Sequence, residues 1–170
     1  MSNEVKMQRR LGTIMWLLAW GLALALLTWY FQQRADSRHN PNQQVQVVNE
    51  QGRQGIVLKQ NRHGHYLANG KMNNKAVVFL LDTGASLVAV PEGLADELAL
   101  ALGQPIKLNT AAGRVTGYRT RINSLSLGPF TLKDVSAVIM PADSNEVLLG
   151  MNVLRQFELT QREGQMIIRR

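Results

Sequence analysis

No cysteine occurs among the 170 residues, which excludes disulfides and thiolate chemistry and leaves the redox compartment open. A basic block is also missing. The chain has 19 Lys and Arg against 12 Asp and Glu, a formal charge of +7, but the cations are dispersed, with no more than two adjacent. Phosphate backbones are gripped by clustered cations, so no nucleic-acid partner is expected. H-E-x-x-H, G-x-S-x-G, the P-loop and G-x-G-x-x-G are all absent, and with them the usual marks of zinc hydrolases, serine hydrolases and nucleotide binders. His63-Gly64-His65 could set two imidazoles on one side of a strand, yet no third ligand follows at a suitable spacing. Loop or structural histidines are the better reading, and neither a metal nor a cofactor is expected.

Charge is also missing from one long stretch. Leu11 to Phe31, "LGTIMWLLAWGLALALLTWYF", runs 21 residues without a charged side chain. As a helix it would extend about 30 Å, the thickness of a bilayer's hydrocarbon core. Trp16 and Trp20 lie toward one end and Trp29-Tyr30 at the other, as interfacial aromatics do. A buried soluble helix of this length is not needed in so small a domain. A cleaved signal peptide would have a shorter apolar core, and Ala23-Leu24-Ala25 lies too deep for comfortable cleavage. The expectation is an uncleaved single-pass anchor over 11–31 behind a short tail, 1–10. Lys6, Arg9 and Arg10 precede it and Arg34 and Arg38 follow it, an excess that favours a cytoplasmic N-terminus and an exported C-terminal part.

Residues 32–53, rich in Gln, Asn and Arg, read as a polar linker, with Val45-Gln46-Val47-Val48 as a candidate terminal strand. From 54 to 170 short strands dominate. "GIVLKQ", the run Val77 to Leu81, "PIKLNT", "GRVTGYRTRINSLSL", "FTLKDVSAVIM" and "GQMIIRR" alternate or are continuously apolar. Asn69-Gly70 reads as a hairpin turn, and a second turn is expected near Ala112-Gly113. Two helices are expected, "PEGLADELALALG" with Pro91 in its first turn and Gly103 as its stop, and the short "MNVLRQF". Arg114, Arg119 and Arg121 read as an exposed strand face. The domain is therefore mainly β, with short helices.

The run Val77-Val78-Phe79-Leu80-Leu81 delivers Asp82 into the turn Thr83-Gly84-Ala85-Ser86. It reads as a strand buried on both faces. A carboxylate at its end is costly without a partner or a role. Held on a tight glycine turn, with two hydroxyls nearby, it suits a general acid/base, although Asp also caps turns.

A second motif, "VLLGMNVL", brings Gly150 68 residues after Asp82. Together these segments resemble the retropepsin-like aspartic proteases, in which a hydrophobic-hydrophobic-Asp-Thr/Ser-Gly-Ala loop is backed by a hydrophobic-hydrophobic-Gly strand and a hairpin flap lies between. The approach "NRHGHYLANGKMNNKAVVFLLDTGAS" is similar to single-domain, membrane-anchored bacterial members. The resemblance covers about residues 55–160. It implies a closed β-barrel or sandwich over 54–170, Asp82 as the catalytic aspartate, and Thr83 as the hydroxyl that locks two opposing loops together. Gly84 would be the turn glycine, Ala85 a loop member, and Ser86 a partner for the outer carboxylate oxygen. Leu148, Leu149 and Gly150 would form the supporting strand, and Ala111, Ala112 and Gly113 the flap tip.

The mechanism implied needs two carboxylates, yet Asp96, Asp134 and Asp143 lack the turn, and only one Asp-Thr-Gly is present. A homodimer with the site on its two-fold axis is expected, cleaving polypeptides, with the domain periplasmic and the anchor in a bacterial inner membrane. The rival expectation is a non-catalytic dimeric module of the same fold that grips an extended peptide. A third is a structural envelope protein for which Asp82 is replaceable.

Overall fold

The computed structural model describes residues 2–50, 52–110 and 113–170. The first helix, α1 (Ser2–His39), is followed by strands β1 (Gln46–Glu50), β2 (Arg53–Lys59), β3 (Leu67–Met72), β4 (Lys75–Leu81) and β5 (Val88–Pro91). A single turn of helix, α2 (Glu92–Ala95), leads to β6 (Pro105–Thr110), β7 (Gly113–Leu127), β8 (Phe130–Met140) and β9 (Glu146–Leu149). Another short helix, α3 (Met151–Leu154), precedes the closing hairpin of β10 (Glu158–Arg162) and β11 (Gln165–Arg169). The chain divides into two units, residues 1–38 and 39–170.

In the first unit, uncharged residues with high helix propensity keep α1 continuous through the apolar segment. Ile14–His39 is a stretch long and apolar enough to cross a membrane. Its Leu17, Leu18, Leu22 and Leu24 are exposed, as lipid-facing side chains would be.

In the second unit, seven strands run in the order β3-β4-β9-β5-β8-β7-β6, and β3 also pairs with β7 through Lys71↔Ser126 and Met72↔Leu125. That extra pairing closes six strands into a ring and leaves β6 as the outer strand of a hairpin. The mainly β, closed-barrel expectation is met. Phe79, Ile122, Leu125, Ile139 and Leu149 fill the ring and are almost wholly removed from water. A second sheet, β1-β2-β11-β10, adds Ile56, Leu58 and Ile168 to the same core.

Four expectations need correction. Residues 32–53 are not a free linker. α1 runs to His39, Asn40 and Asn42 are buried in the domain, and β1 pairs along β2, where the candidate terminal strand was expected. The Asn42 side chain explains the docking, since it bonds the Leu67 carbonyl at 2.6 Å and the Lys59 N–H at 2.7 Å. A polar composition there satisfies buried backbone instead of avoiding it.

The β3–β4 turn falls at Asn73-Asn74, both at positive φ (49° and 66°), and β3 continues through Asn69-Gly70. Gly70 is there for space. A Cβ at that position would lie 2.5 Å from the Phe79 ring. The helix expected over "PEGLADELALALG" ends after one turn. Leu98 and Leu100 are both buried, and two residues apart they cannot share a helical face, so the chain turns at Ala99 with φ 52°. Lastly, β4 buries Val77 and Phe79 deeply, but Val78 and Leu80 only partly.

Candidate active site

β4 lies parallel to β9, with Leu80↔Leu148 and Leu81↔Leu149 in register, so the two apolar segments end side by side. Asp82 follows directly and is half-buried, its N–H donating to the Leu149 carbonyl at 3.2 Å. The turn is held from within. The Gly84 N–H donates to Asp82 Oδ1 at 2.8 Å, and the Ala85 N–H donates to the Asp82 carbonyl at 3.2 Å. One carboxylate oxygen is therefore tied to backbone. Thr83 and Ser86 are exposed and Ala85 is half-buried.

The supporting strand does more than pack. Leu149 is 1% exposed, whereas Leu148 is half-buried and faces the cleft beside Asp82. Gly150 lies against the loop so closely that a Cβ would come within 2.3 Å of the Leu87 carbonyl oxygen. From the start of α3, the Met151 N–H reaches the Ala85 carbonyl at 2.7 Å and the Asn152 N–H reaches the Ser86 carbonyl at 3.1 Å.

The opposite wall is the β6–β7 hairpin. Its strands pair from Pro105↔Tyr118 to Thr110↔Gly113. Of the expected flap tip, Gly113 opens β7, while Ala111 and Ala112 lie outside the described residues. Between the walls is an open cleft of about 830 Å³. Asp82, Ser86, Leu87, Leu108, Val115 and Met140 are among its lining residues. Leu87, Leu108, Val115 and Met140 give the cleft an apolar lining beside the Asp82 carboxylate.

The structure thus brings together Asp82, Gly84, Ala85, Ser86 and Leu148 around one cleft, with the hairpin across it. Thr83 is exposed outside that lining, and Leu149 and Gly150 stand behind. His63 and His65 are exposed, and both N–H groups donate to Asn61 Oδ1, at 2.9 and 3.0 Å. Among the described residues no group of three or more His, Asp or Glu is arranged to hold a metal. Arg121 pairs with Asp134, both exposed, and its guanidinium holds that carboxyl below its usual range through the side-chain hydrogen bond. The sequence reading passed over Asn152, whose amide bonds the loop's exit. An amide in the first turn of α3, two residues after Gly150, was the available signal.

The family described as gag-polyprotein putative aspartyl protease matches residues 68–156, just over half of the chain. An uncharacterised protein of Sinorhizobium sp., from the region 5′ of cobV, is 28% identical over 128 residues, covering 71% of this chain and 54% of that protein. An uncharacterised Rickettsia prowazekii protein is 28% identical over 107 residues, covering 61% and 46%. The chain spans about half the length of the curated relatives it matches. The crystal structure of a retropepsin-like aspartic protease from Rickettsia conorii superposes with a TM-score of 0.57 at 25% identity, covering 74% of this chain and 91% of that one.

Proposed function

The chain belongs to the gag-polyprotein aspartyl protease family, of retropepsin-like fold, and we propose that it is a membrane-anchored, homodimeric aspartic endopeptidase. One observation carries the reading. A single Asp-Thr-Gly loop, clamped by backbone on both sides, opens onto a cleft wide enough for a peptide, and it supplies one carboxylate where the chemistry needs two.

A second copy related by a two-fold axis supplies the other. With the two Asp82 carboxylates about 3 Å apart, ionising both is unfavourable, so they share one proton. The ionised member takes a proton from a bound water, which attacks the peptide carbonyl. The protonated member donates to the carbonyl oxygen. The first Asp82 passes the proton it took from water to the leaving nitrogen, and the C–N bond breaks. A hydroxyl proton of the tetrahedral intermediate returns to the other Asp82, which leaves a carboxylic acid product and the shared proton restored. In this reading Thr83 bonds the facing loop of the other copy and Ser86 bonds the outer carboxylate oxygen; the exposure of both side chains on the loop supports it. The apolar stretch of α1 would hold the domain on the exported side of the inner membrane, and sharing a bilayer raises the concentration of each copy for the other.

Asp82→Asn in the full chain is the direct test, read with a peptide library in detergent micelles. An amide of nearly the same shape can neither accept the water's proton nor share one. Cleavage should fall by about a hundred- to ten-thousandfold or more while dimer and fold persist. Wild-type activity should peak on the acidic side of neutrality, since the shared proton is lost as pH rises. Cleavage by Asp82→Asn at the wild-type rate would sink the mechanism. Peptide binding without cleavage by the wild type would favour a binding module.

A further inference from the structure

We propose that Asn152 is a positioning residue for Asp82, acting through the backbone of the loop; the inference rests on the aspartic-protease reading above. Both legs of the loop hang on one short segment, Leu149 to Asn152. On the entry side the Asp82 N–H donates to the Leu149 carbonyl at 3.2 Å. On the exit side the N–H groups of Met151 and Asn152 hold the carbonyls of Ala85 and Ser86, at 2.7 and 3.1 Å. The Asn152 side chain then finishes the clamp. Its Oδ1 accepts from the Val88 N–H at 3.0 Å, and its Nδ2 donates to the Ser136 carbonyl at 2.7 Å. Val88 is the fully buried first residue of β5, and Ser136 lies on β8, so one amide joins the loop's exit to the barrel wall.

The chemistry demanded at this position is narrow. One neighbour is a donor and the other an acceptor, so the side chain must accept on one atom and donate from another. An ionised carboxylate would accept at both and set its charge against the Ser136 carbonyl. A shorter hydroxyl cannot span both partners. The carboxylate that shares a proton across a dimer axis and aims a water must be held to a few tenths of an ångström. Release of the exit leg would loosen Asp82 while the pairings of β4 with β9 and of β5 with β8, which do not use this side chain, stay in place.

The test uses the full chain in detergent micelles with Asn152→Ser and Asn152→Asp. Intact sites are counted by titration with a tight-binding hydroxyl-bearing peptide analogue of the tetrahedral intermediate, and kcat per titrated site is followed with pH. Asn152→Ser should lose about ten- to a hundredfold in kcat per site, with KM within about threefold of wild type. Asn152→Asp should match that loss at pH 7. Below about pH 4.5 it should recover several-fold relative to wild type, because a neutral carboxylic acid again offers one donor and one acceptor. A merely structural role would lower the number of titrated sites and leave kcat per site unchanged at every pH, and that result overturns the proposal. Failure of both variants to fold overturns it as well, since Asn152 would then be a determinant of the fold.

Should wild type neither cleave nor bind the analogue, the protease reading falls on its own. Amide exchange then decides the positioning claim. Asn152→Ser should speed exchange across Asp82 to Val88 by about tenfold or more while the β7–β8 amides keep wild-type rates. Unchanged exchange in the loop would overturn it.

Discussion

Gly150 backs the Asp82 loop, and Gly113 opens β7 in the hairpin that forms the other wall of the cleft. Gly150 has φ −85° and ψ 176°, a conformation open to any residue. Space is what it lacks: a Cβ would meet the Leu87 carbonyl oxygen at 2.3 Å, the Leu87 carbonyl carbon at 2.5 Å and the Ala85 oxygen at 2.9 Å. Gly113 has φ +116° with nothing within 4 Å of the site a Cβ would take. There the space is free and the backbone conformation excludes side chains. The contrast separates two ways of building a wall. Backbone pressed on backbone makes the loop wall stiff, as the catalytic role proposed for Asp82 would require. A hairpin held by its own ladder would, in the proposed protease, have room to open and close over a peptide.

The loop wall should break first. In Gly150→Ala the methyl group meets two backbone carbonyls, those of Leu87 and Ala85, and no rotamer can relieve it. Overpacking of this kind costs about 1–3 kcal/mol, and more where the backbone itself must move. Thermal unfolding of the full chain in micelles should show Tm lower by about 5–15 °C. Cleavage should fall with it, because Leu87 and Ala85 must shift and both belong to the Asp82 loop. A Tm equal to wild type would mean that the close approach of these two segments is not what stiffens the wall.

The hairpin wall should respond in the opposite sense. In Gly113→Ala the penalty is a strained backbone, about 1–3 kcal/mol where the surroundings enforce it. An exposed hairpin end can relax or fray, so most of that penalty stays local. Tm should move by no more than about 2 °C, while kcat/KM for a peptide falls by about three- to tenfold as the hairpin closes less well. A large Tm loss with unchanged kcat/KM would reverse the assignment of stiff and mobile walls.

Sequence and structure agree where one strong local signal was enough. The uncharged run at 11–31, the alternation over Phe130–Met140, and the paired apolar segments before Asp82 and Gly150 are each legible in the residues alone. The barrel's closure through Lys71↔Ser126 was not, because the pairing joins residues 55 apart and leaves no local pattern. Asn69-Gly70 misled for the same reason. The glycine answers the Phe79 ring and the Ser126 carbonyl, which arrive from other strands. The polar stretch at 40–45 looked solvated because Asn prefers water, yet Asn42 spends its amide on the Lys59 and Leu67 backbone. In the site, Asp82 announced itself, while Asn152 acts on Val88 and Ser136, both distant in sequence, so its place after Gly150 marked an amide without showing what it would bond.

The smallest effect is expected at the base of the hairpin wall, where Arg121 of β7 grips Asp134 of β8. The side-chain hydrogen bond from Arg121 lowers the Asp134 pKa from its usual 3.8. A depressed carboxyl stabilises the fold at pH values above its unfolded pKa and loses that contribution as pH falls through the folded one. Any benefit is therefore present at neutrality and gone in strong acid. Both groups are exposed, so water and salt screen the pair. Asp134→Asn isolates the charge, because Asn also tolerates the positive φ of 55° found there. At pH 7 its Tm should lie within about 1 °C of wild type, and the residual difference should shrink as pH falls through the depressed range of the carboxyl, or in molar salt. A pronounced, salt-sensitive loss would mean that charge, and not the β7–β8 ladder, holds the hairpin's base, and the contrast between the two walls would need a new physical footing.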